Sequence, residues 1–290
     1  MTIDVDVRNL SLKYNDFEAL KNISFHLESG KIHGILGRNG AGKTSLLSLL
    51  ASFRESSEGS VKMDGEKPFE NANIMQKVTF IYEKDYKDET EKVKGMLEAV
   101  ERYRPDFDTN YADHLVKIFK LPLEKPVNKL SKGMQSALNV TMGLASRSPL
   151  TIFDEAYLGM DAPTREIFYK ELLADQSEHP RTIILSTHLV SEMDYLFDEV
   201  IIIDKGALVL QEEYETLASR GASITGVTNL VDDFVSGMHQ LSEQKLGGTK
   251  SVMVYGDISD KQRNEAQQKG LEVGPISLQD LFIHLTREEA

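Results

Sequence analysis

The stretch Gly37-Arg38-Asn39-Gly40-Ala41-Gly42-Lys43-Thr44 decides the fold. It fits the pattern G-x-x-x-x-G-K-S/T in full. Its glycines let the backbone wrap closely around a phosphate chain with the N–H groups pointing inward. Lys43 is long enough to reach β- and γ-phosphates, and the Thr44 hydroxyl, followed by Ser45, is suited to ligate magnesium. Just before it, the apolar run Ile32–Leu36 reads as a buried strand. Just after it, residues 44–52, with leucines at 46, 47, 49 and 50, read as a buried helix whose N-terminal dipole favours an anion. The alternative, a chance Gly-rich turn, is set aside by that strand-loop-helix context.

Upstream, residues 3–8 and 23–27 alternate with period two, as half-buried strands do. Downstream, Val78–Tyr82 reads as a strand, and the pattern from 90 to 145 turns helical, punctuated by Pro105, Pro122 and Pro126. Apolar runs at 150–153 and 182–185 read as buried parallel strands separated by a helix over 163–173, and 200–203 ends in the turn Asp204-Lys205-Gly206. Strands alternating with helices imply an α/β sheet covered on both faces. Past Tyr214 the texture changes to strand, helix, strand, helix (252–255, 261–268, 271–273, 278–285), and Gly247-Gly248 reads as a junction. This predicts two parts, 1–215 and a small α+β appendix over 216–290.

The strand at 150–153 delivers Asp154 and Glu155 at its carboxyl end, the edge where open α/β sheets bind ligands. Asp154 is placed to hold Mg²⁺, directly or through water. Glu155 is placed to polarise an attacking water. An acidic turn after a strand is common, and it is the phosphate loop upstream that favours the chemical reading.

Leu130-Ser131-Lys132-Gly133-Met134-Gln135 lies between these two motifs. It resembles the L-S-G-G-Q signature of ATP-binding-cassette (ABC) proteins, with Ser131 and Gly133 matching and Lys132 and Met134 departing. A Ser hydroxyl and a Gly backbone at a helix start make an anion cradle, although Ser also starts helices as a plain cap. Further family motifs come in order. Tyr14 stands where the family has an aromatic that stacks on adenine, with Phe17 as a competitor. Glu83 takes the place of the glutamine-loop Gln, which senses magnesium and the membrane partner. Asp161, in Leu158-Gly159-Met160-Asp161, matches the D-loop Asp, and His188, in Leu185-Ser186-Thr187-His188, matches the switch histidine.

The resemblance covers about residues 1–215. It implies a P-loop NTPase ABC cassette with an N-terminal antiparallel β subdomain, a RecA-like core, a helical signature subdomain at about 90–145 and the small C-terminal appendix. It implies ATP and Mg²⁺ as ligands, with Gly37, Arg38, Asn39, Gly40, Ala41, Gly42, Lys43, Thr44 and Ser45 cradling the nucleotide. Thr44, Asp154 and Glu83 would surround the metal, and Lys43, Glu155 and His188 would carry the chemistry. It further implies two cassettes closing head to tail, so that Ser131 and Gly133 of one face the γ-phosphate held by the other, and Asp161 communicates between them. The partners implied are a second cassette and a transmembrane permease subunit, at the cytoplasmic face of the membrane. The single cassette and the Leu-Ser-Lys-Gly-Met form are similar to Ytr-type and other bacterial drug and peptide exporters.

Bulk properties agree. The chain has 290 residues and a formal net charge of -13, which gives it no global attraction for nucleic-acid phosphates. It has no cysteine, which excludes disulfides, Cys-based zinc sites and thiol catalysis. Its N-terminus lacks the basic start and apolar stretch of a signal peptide, and its apolar runs are far shorter than the roughly 20 residues of a bilayer span. Chromosome-type cassettes carry long coiled coils between the two nucleotide motifs, and no sustained heptads occur here. Translation-factor cassettes carry two phosphate loops, and a nucleotide kinase lacks the signature and switch histidine. A cassette that binds ATP without hydrolysing it is opposed by the intact Lys43, Asp154 and Glu155, while the departures at Glu83 and Lys132 keep that alternative open.

Overall fold

The computed structural model describes residues 2–256 and 258–286, which form two compact units. The first comprises the described residues up to His188 and Tyr195–Gln211, and the second Leu189–Asp194 with the described residues from Glu212 onward.

The first unit opens with β1 (Val5–Tyr14), β2 (Phe17–Leu27) and β3 (Ile32–Leu36). Then come α1 (Lys43–Leu50), β4 (Glu58–Met63), α2 (Ala72–Met75) and β5 (Val78–Tyr82). β1 pairs antiparallel with both β2 and β4, forming a three-stranded sheet. The alternation seen in the sequence becomes its inner face: Val5, Val7, Ile23, Phe25 and Leu27 are buried. β4 escapes sequence reading because it begins Glu-Gly-Ser and buries only Val61 and Met63.

Beyond β5 stand α3 (Val93–Tyr103), α4 (Thr109–Ile118), α5 (Lys132–Ala145), β6 (Leu150–Asp154), α6 (Ala162–Glu178) and β7 (Thr182–Thr187). The short α7 (Val190–Met193), part of the second unit, intervenes before β8 (Glu199–Asp204) and β9 (Ala207–Glu213). A six-stranded sheet runs β5-β6-β7-β3-β8-β9, and the β5/β6, β6/β7, β7/β3 and β3/β8 pairs are parallel. Every residue of β3, β6 and β7 is buried, which explains why these strands read as mainly apolar runs rather than alternating ones. α5 is buried from Gln135 to Ala145, and Gly143 lets it lie against β6: a Cβ there would stand 2.5 Å from the Phe153 ring.

The second unit contains α7, α8 (Tyr214–Ser219), β10 (Gly221–Val227), α9 (Thr228–Val235), β11 (His239–Leu246), β12 (Thr249–Tyr255), α10 (Asp260–Gln268), β13 (Glu272–Gly274) and α11 (Leu278–Leu285). From β10 to β13 the order is βαββαβ, and the antiparallel sheet order β11-β12-β10-β13 is that of a split βαβ sandwich. Ala222, Ile224, Val252 and Val254 of the sheet form its core with Val231, Phe234 and Val235 of α9 and Ala266 of α10. The reading of Gly247-Gly248 as a junction is corrected here. Leu246 pairs with Thr249, so the two glycines are the loop of the β11–β12 hairpin. No described helix is long and apolar enough to cross a membrane.

Candidate functional site

Strand register places the site. Across the parallel sheet, Tyr82 is level with Asp154, Asp154 with Ser186, and Thr187 with Leu36. The carboxyl ends of these strands therefore deliver their next residues to one edge: Glu83 after β5, Glu155 after β6, His188 after β7, and the glycine loop after β3.

The loop is confined by its surroundings. A Cβ on Gly37 would stand 2.8 Å from the Ile203 carbonyl oxygen, and Gly42 takes φ 107, a left-handed conformation. Gly42 caps α1 with no side-chain hydrogen bond, so the first-turn N–H groups of this helix have no side-chain acceptor of their own. Lys43 is buried at 6% exposure. Its Nζ donates to the Gly37 carbonyl at 2.7 Å and lies 3.3 Å from Glu155 Oε1.

The two carboxylates differ in setting. Asp154 is buried, and its Oδ1 accepts from the Ser186 hydroxyl at 2.5 Å. Burial is the main force raising its pKa above the ordinary Asp value. The Glu155 charge pushes the same way, while hydrogen bonds with Ser186 and Thr44 and the Lys43 charge pull it down without reversing the direction. Glu155 sits at φ 49, a left-handed conformation that costs a non-glycine residue about 1–2 kcal/mol. The turn aims its carboxylate at His188, whose Nδ1 lies 3.0 Å from Oε1. That one oxygen thus faces both Lys43 and His188.

Two adjoining clefts of about 520 and 530 Å³ flank α1. Tyr14, Thr44, Ser45 and Glu155 line both. Glu83 and Asp154 line the first, and Phe17, Arg38, Asn39, Gly40, Gly42 and Lys43 the second. The Tyr14 hydroxyl is 3.4 Å from Ser45 Oγ, and the Arg54 guanidinium sits over the Tyr14 ring at 4.8 Å. Phe17 is 66% exposed. Glu83 meets Lys132 at 3.5 Å, so the two departures from the family pattern touch one another.

Ser131, Gly133 and Asp161 line neither cleft. Ser131 caps α5, accepting from the Met134 N–H at 3.3 Å, and Asp161 caps α6, accepting from the Thr164 N–H at 3.0 Å. Hydrogen bonds from the Thr164 side chain and backbone hold the Asp161 carboxyl below its ordinary range. Gly133 packs beneath the Gly159 carbonyl, where a Cβ would come to 3.0 Å. Sequence reasoning missed Ser186, Thr187, Tyr157 and Arg54. The one available signal was the switch from apolar to hydroxyl residues at the end of β7.

An uncapped helix start, a buried lysine, a carboxylate beside a hydroxyl and a second carboxylate held by an imidazole are the groups needed to bind and cleave a nucleotide phosphate chain. The comparisons agree. Residues 20–158 match the family model described as ABC transporter. The ABC transporter ATP-binding protein YtrB of Bacillus subtilis is 26% identical over 72% of this chain and 74% of that protein. The Nod factor export ATP-binding protein I of Burkholderia thailandensis is 24% identical over 98% of this chain and 97% of that protein. A solved ATP-binding subunit of an ABC transporter superposes with TM-score 0.65 at 20% identity, over 73% of this chain and 91% of that one. Motif order, fold and family match agree that residues 20–158 carry an ABC transporter ATP-binding domain, the kind of domain that hydrolyses ATP in such transporters.

Proposed function

We propose that this chain is the motor subunit that drives a separate transmembrane permease, bound at the cytoplasmic face of the membrane and working as a dimer of cassettes, in the direction of export. The observation that carries the reading is the Glu155 carboxylate, held between Lys43 and His188 at the edge where the phosphate loop begins.

In this reading the 37–42 loop, Ser45 and the free N–H groups of α1 bind the phosphates, and Lys43 swings from the Gly37 carbonyl to the β- and γ-oxygens. The adenine stacks on the face of Tyr14 that Arg54 leaves open, with Phe17 beside it. Glu155, as general base, takes a proton from the attacking water as its oxygen adds to the γ-phosphorus and the bond to the β–γ bridging oxygen breaks. His188 keeps Glu155 aimed and donates to the γ-phosphate. The residues present fit Mg²⁺. Thr44, Asp154 and Glu83 line the same cleft, with the Thr44 hydroxyl close enough to Asp154 to favour its ionised form. Mg²⁺ held there would complete its shell with substrate phosphate oxygens and water. Mg²⁺ supplies neutralisation of the charge that develops on those oxygens.

Ser131 and Gly133 sit away from both clefts, which supports a site completed by a second cassette. Relatives of the chain are named for export and for import alike. The similarity that spans 98% of this chain, second unit included, is to a protein named for export, and this favours that direction. The test is the solution mass of the Glu155→Gln chain with ATP, beside a Glu155→Gln/Gly133→Asp chain. ATP-dependent doubling of mass only in the first supports the shared site. A monomer in both, with ATP bound, refutes a homodimer.

A further inference from the structure

We infer that Tyr157 is a positioning residue for hydrolysis, holding the His188 strand end in register with Glu155. Its side chain is fully buried, and its hydroxyl donates to Thr187 Oγ1 at 2.5 Å and lies 3.4 Å from the Ser186 carbonyl. The two segments it joins are those that carry the reacting groups. Asp154 bonds Ser186, Glu155 bonds His188, and Tyr157 bonds Thr187, the residue between them. The third pair is the one that neither Mg²⁺ nor phosphate has reason to claim, so it persists when those ligands engage Asp154 and His188.

The ring is fixed from behind. It stacks on Phe168 at 6.1 Å and 22° and meets Tyr169 edge-on at 5.9 Å, both residues of α6. Glu155, two residues earlier, holds a left-handed backbone that an untethered turn would relax. Tyr157 clamps the far side of that turn to β7. The strained Glu155 conformation and the His188 imidazole are thereby referred to one rigid anchor rather than to two independent loops.

This inference rests on the reading of Glu155 and His188 as the hydrolytic pair, so the experiment carries a Glu155→Gln control. Steady-state ATP turnover is measured for the full chain and for Tyr157→Phe, which keeps the ring and removes the hydroxyl. The same is done for Thr187→Val, Thr187→Ser and the Tyr157→Phe/Thr187→Val double variant. Expected is a kcat lowered about ten- to hundredfold in Tyr157→Phe and in Thr187→Val with KM for ATP unchanged, since small misplacements of reacting groups cost about that much. Thr187→Ser, which restores the acceptor, recovers turnover, and the double variant is no worse than either single one. Unchanged kcat in Tyr157→Phe, a loss confined to KM, or additive losses in the double variant would overturn the inference. Turnover retained in Glu155→Gln would instead overturn the reading of the pair. If Tyr157→Phe fails to fold, Thr187→Val against Thr187→Ser carries the same decision.

Discussion

Removing the Ser186 hydroxyl tests how the site holds a buried carboxylate. Asp154 is 7% exposed and relies on Ser186 and Thr44 to offset the cost of burial, and that cost still leaves its pKa raised. A hydrogen bond to a charged group is worth about 1.5–3 kcal/mol, and one to a neutral group about 0.5–1.5 kcal/mol. Ser186→Ala therefore destabilises the nucleotide-free chain by the larger amount where Asp154 is ionised and by the smaller where it is protonated. The sign comes from the direction of the shift. A carboxyl with a raised folded pKa contributes stability that is complete below its unfolded pKa and is lost as pH rises through the folded one. Deleting a donor that favours the ionised form raises the folded pKa further. The difference in Tm between parent and variant should thus be small where Asp154 is protonated in both, widen as pH rises past the parent's raised value, and level off once the carboxyl is ionised in the variant as well. With about 2–4 °C per kcal/mol for a unit of this size, the drop on that upper plateau is about 3–12 °C. Differential scanning fluorimetry of nucleotide-free protein across this range reads it. A Tm difference constant with pH, or none at all, would refute the claim that Ser186 sustains an ionised, buried Asp154.

Two other outcomes rest on the same geometry. Tyr14→Ala should weaken ATP about ten- to hundredfold by titration calorimetry, because a base–aromatic stack is worth about 1–3 kcal/mol, while Tyr14→Phe loses only the contact to Ser45 and stays near the parent. Gly143→Val should lower Tm steeply or prevent folding, since even a Cβ there comes to 2.5 Å from the Phe153 ring and 2.8 Å from Ile81, with helix on one side and sheet on the other.

Much of this architecture is legible in the sequence because the deciding residues are consecutive. The phosphate loop is one run of eight positions, and its flanking strand is five buried residues with no polar interruption beyond His33. β5 and β6 read as easily for the same reason. The site's inner connections do not, because they join residues that meet only when parallel strands fall into register. Asp154 and Ser186 are neighbours across β6 and β7, and nothing local marks either as the other's partner. Tyr157 reads as an ordinary aromatic after an acidic pair until the fold sets it against Thr187. The pairing of Glu83 with Lys132 is likewise invisible in a linear comparison, where each is a separate departure from the family pattern. In the second unit, β11 is His-Gln-Leu-Ser-Glu-Gln-Lys-Leu, exposed or half-buried along its length, so it lacks the apolar alternation that announces a strand. β10 carries two glycines and two hydroxyl residues, and its pattern is too weak to outweigh them. The Gly247-Gly248 misreading has the same origin: with β11 unseen, a hairpin loop looks like a linker.

The central claim is that Glu155 drives hydrolysis within a nucleotide site built by the 37–42 loop, Lys43, Asp154 and His188. The most direct measurement is Mg²⁺-dependent ATP turnover by the purified chain beside its Glu155→Gln variant, with ATP affinity measured on both. The account predicts turnover by the parent chain, loss of it by at least about a hundredfold in the variant, and ATP affinity preserved. Comparable turnover in the two proteins would contradict it.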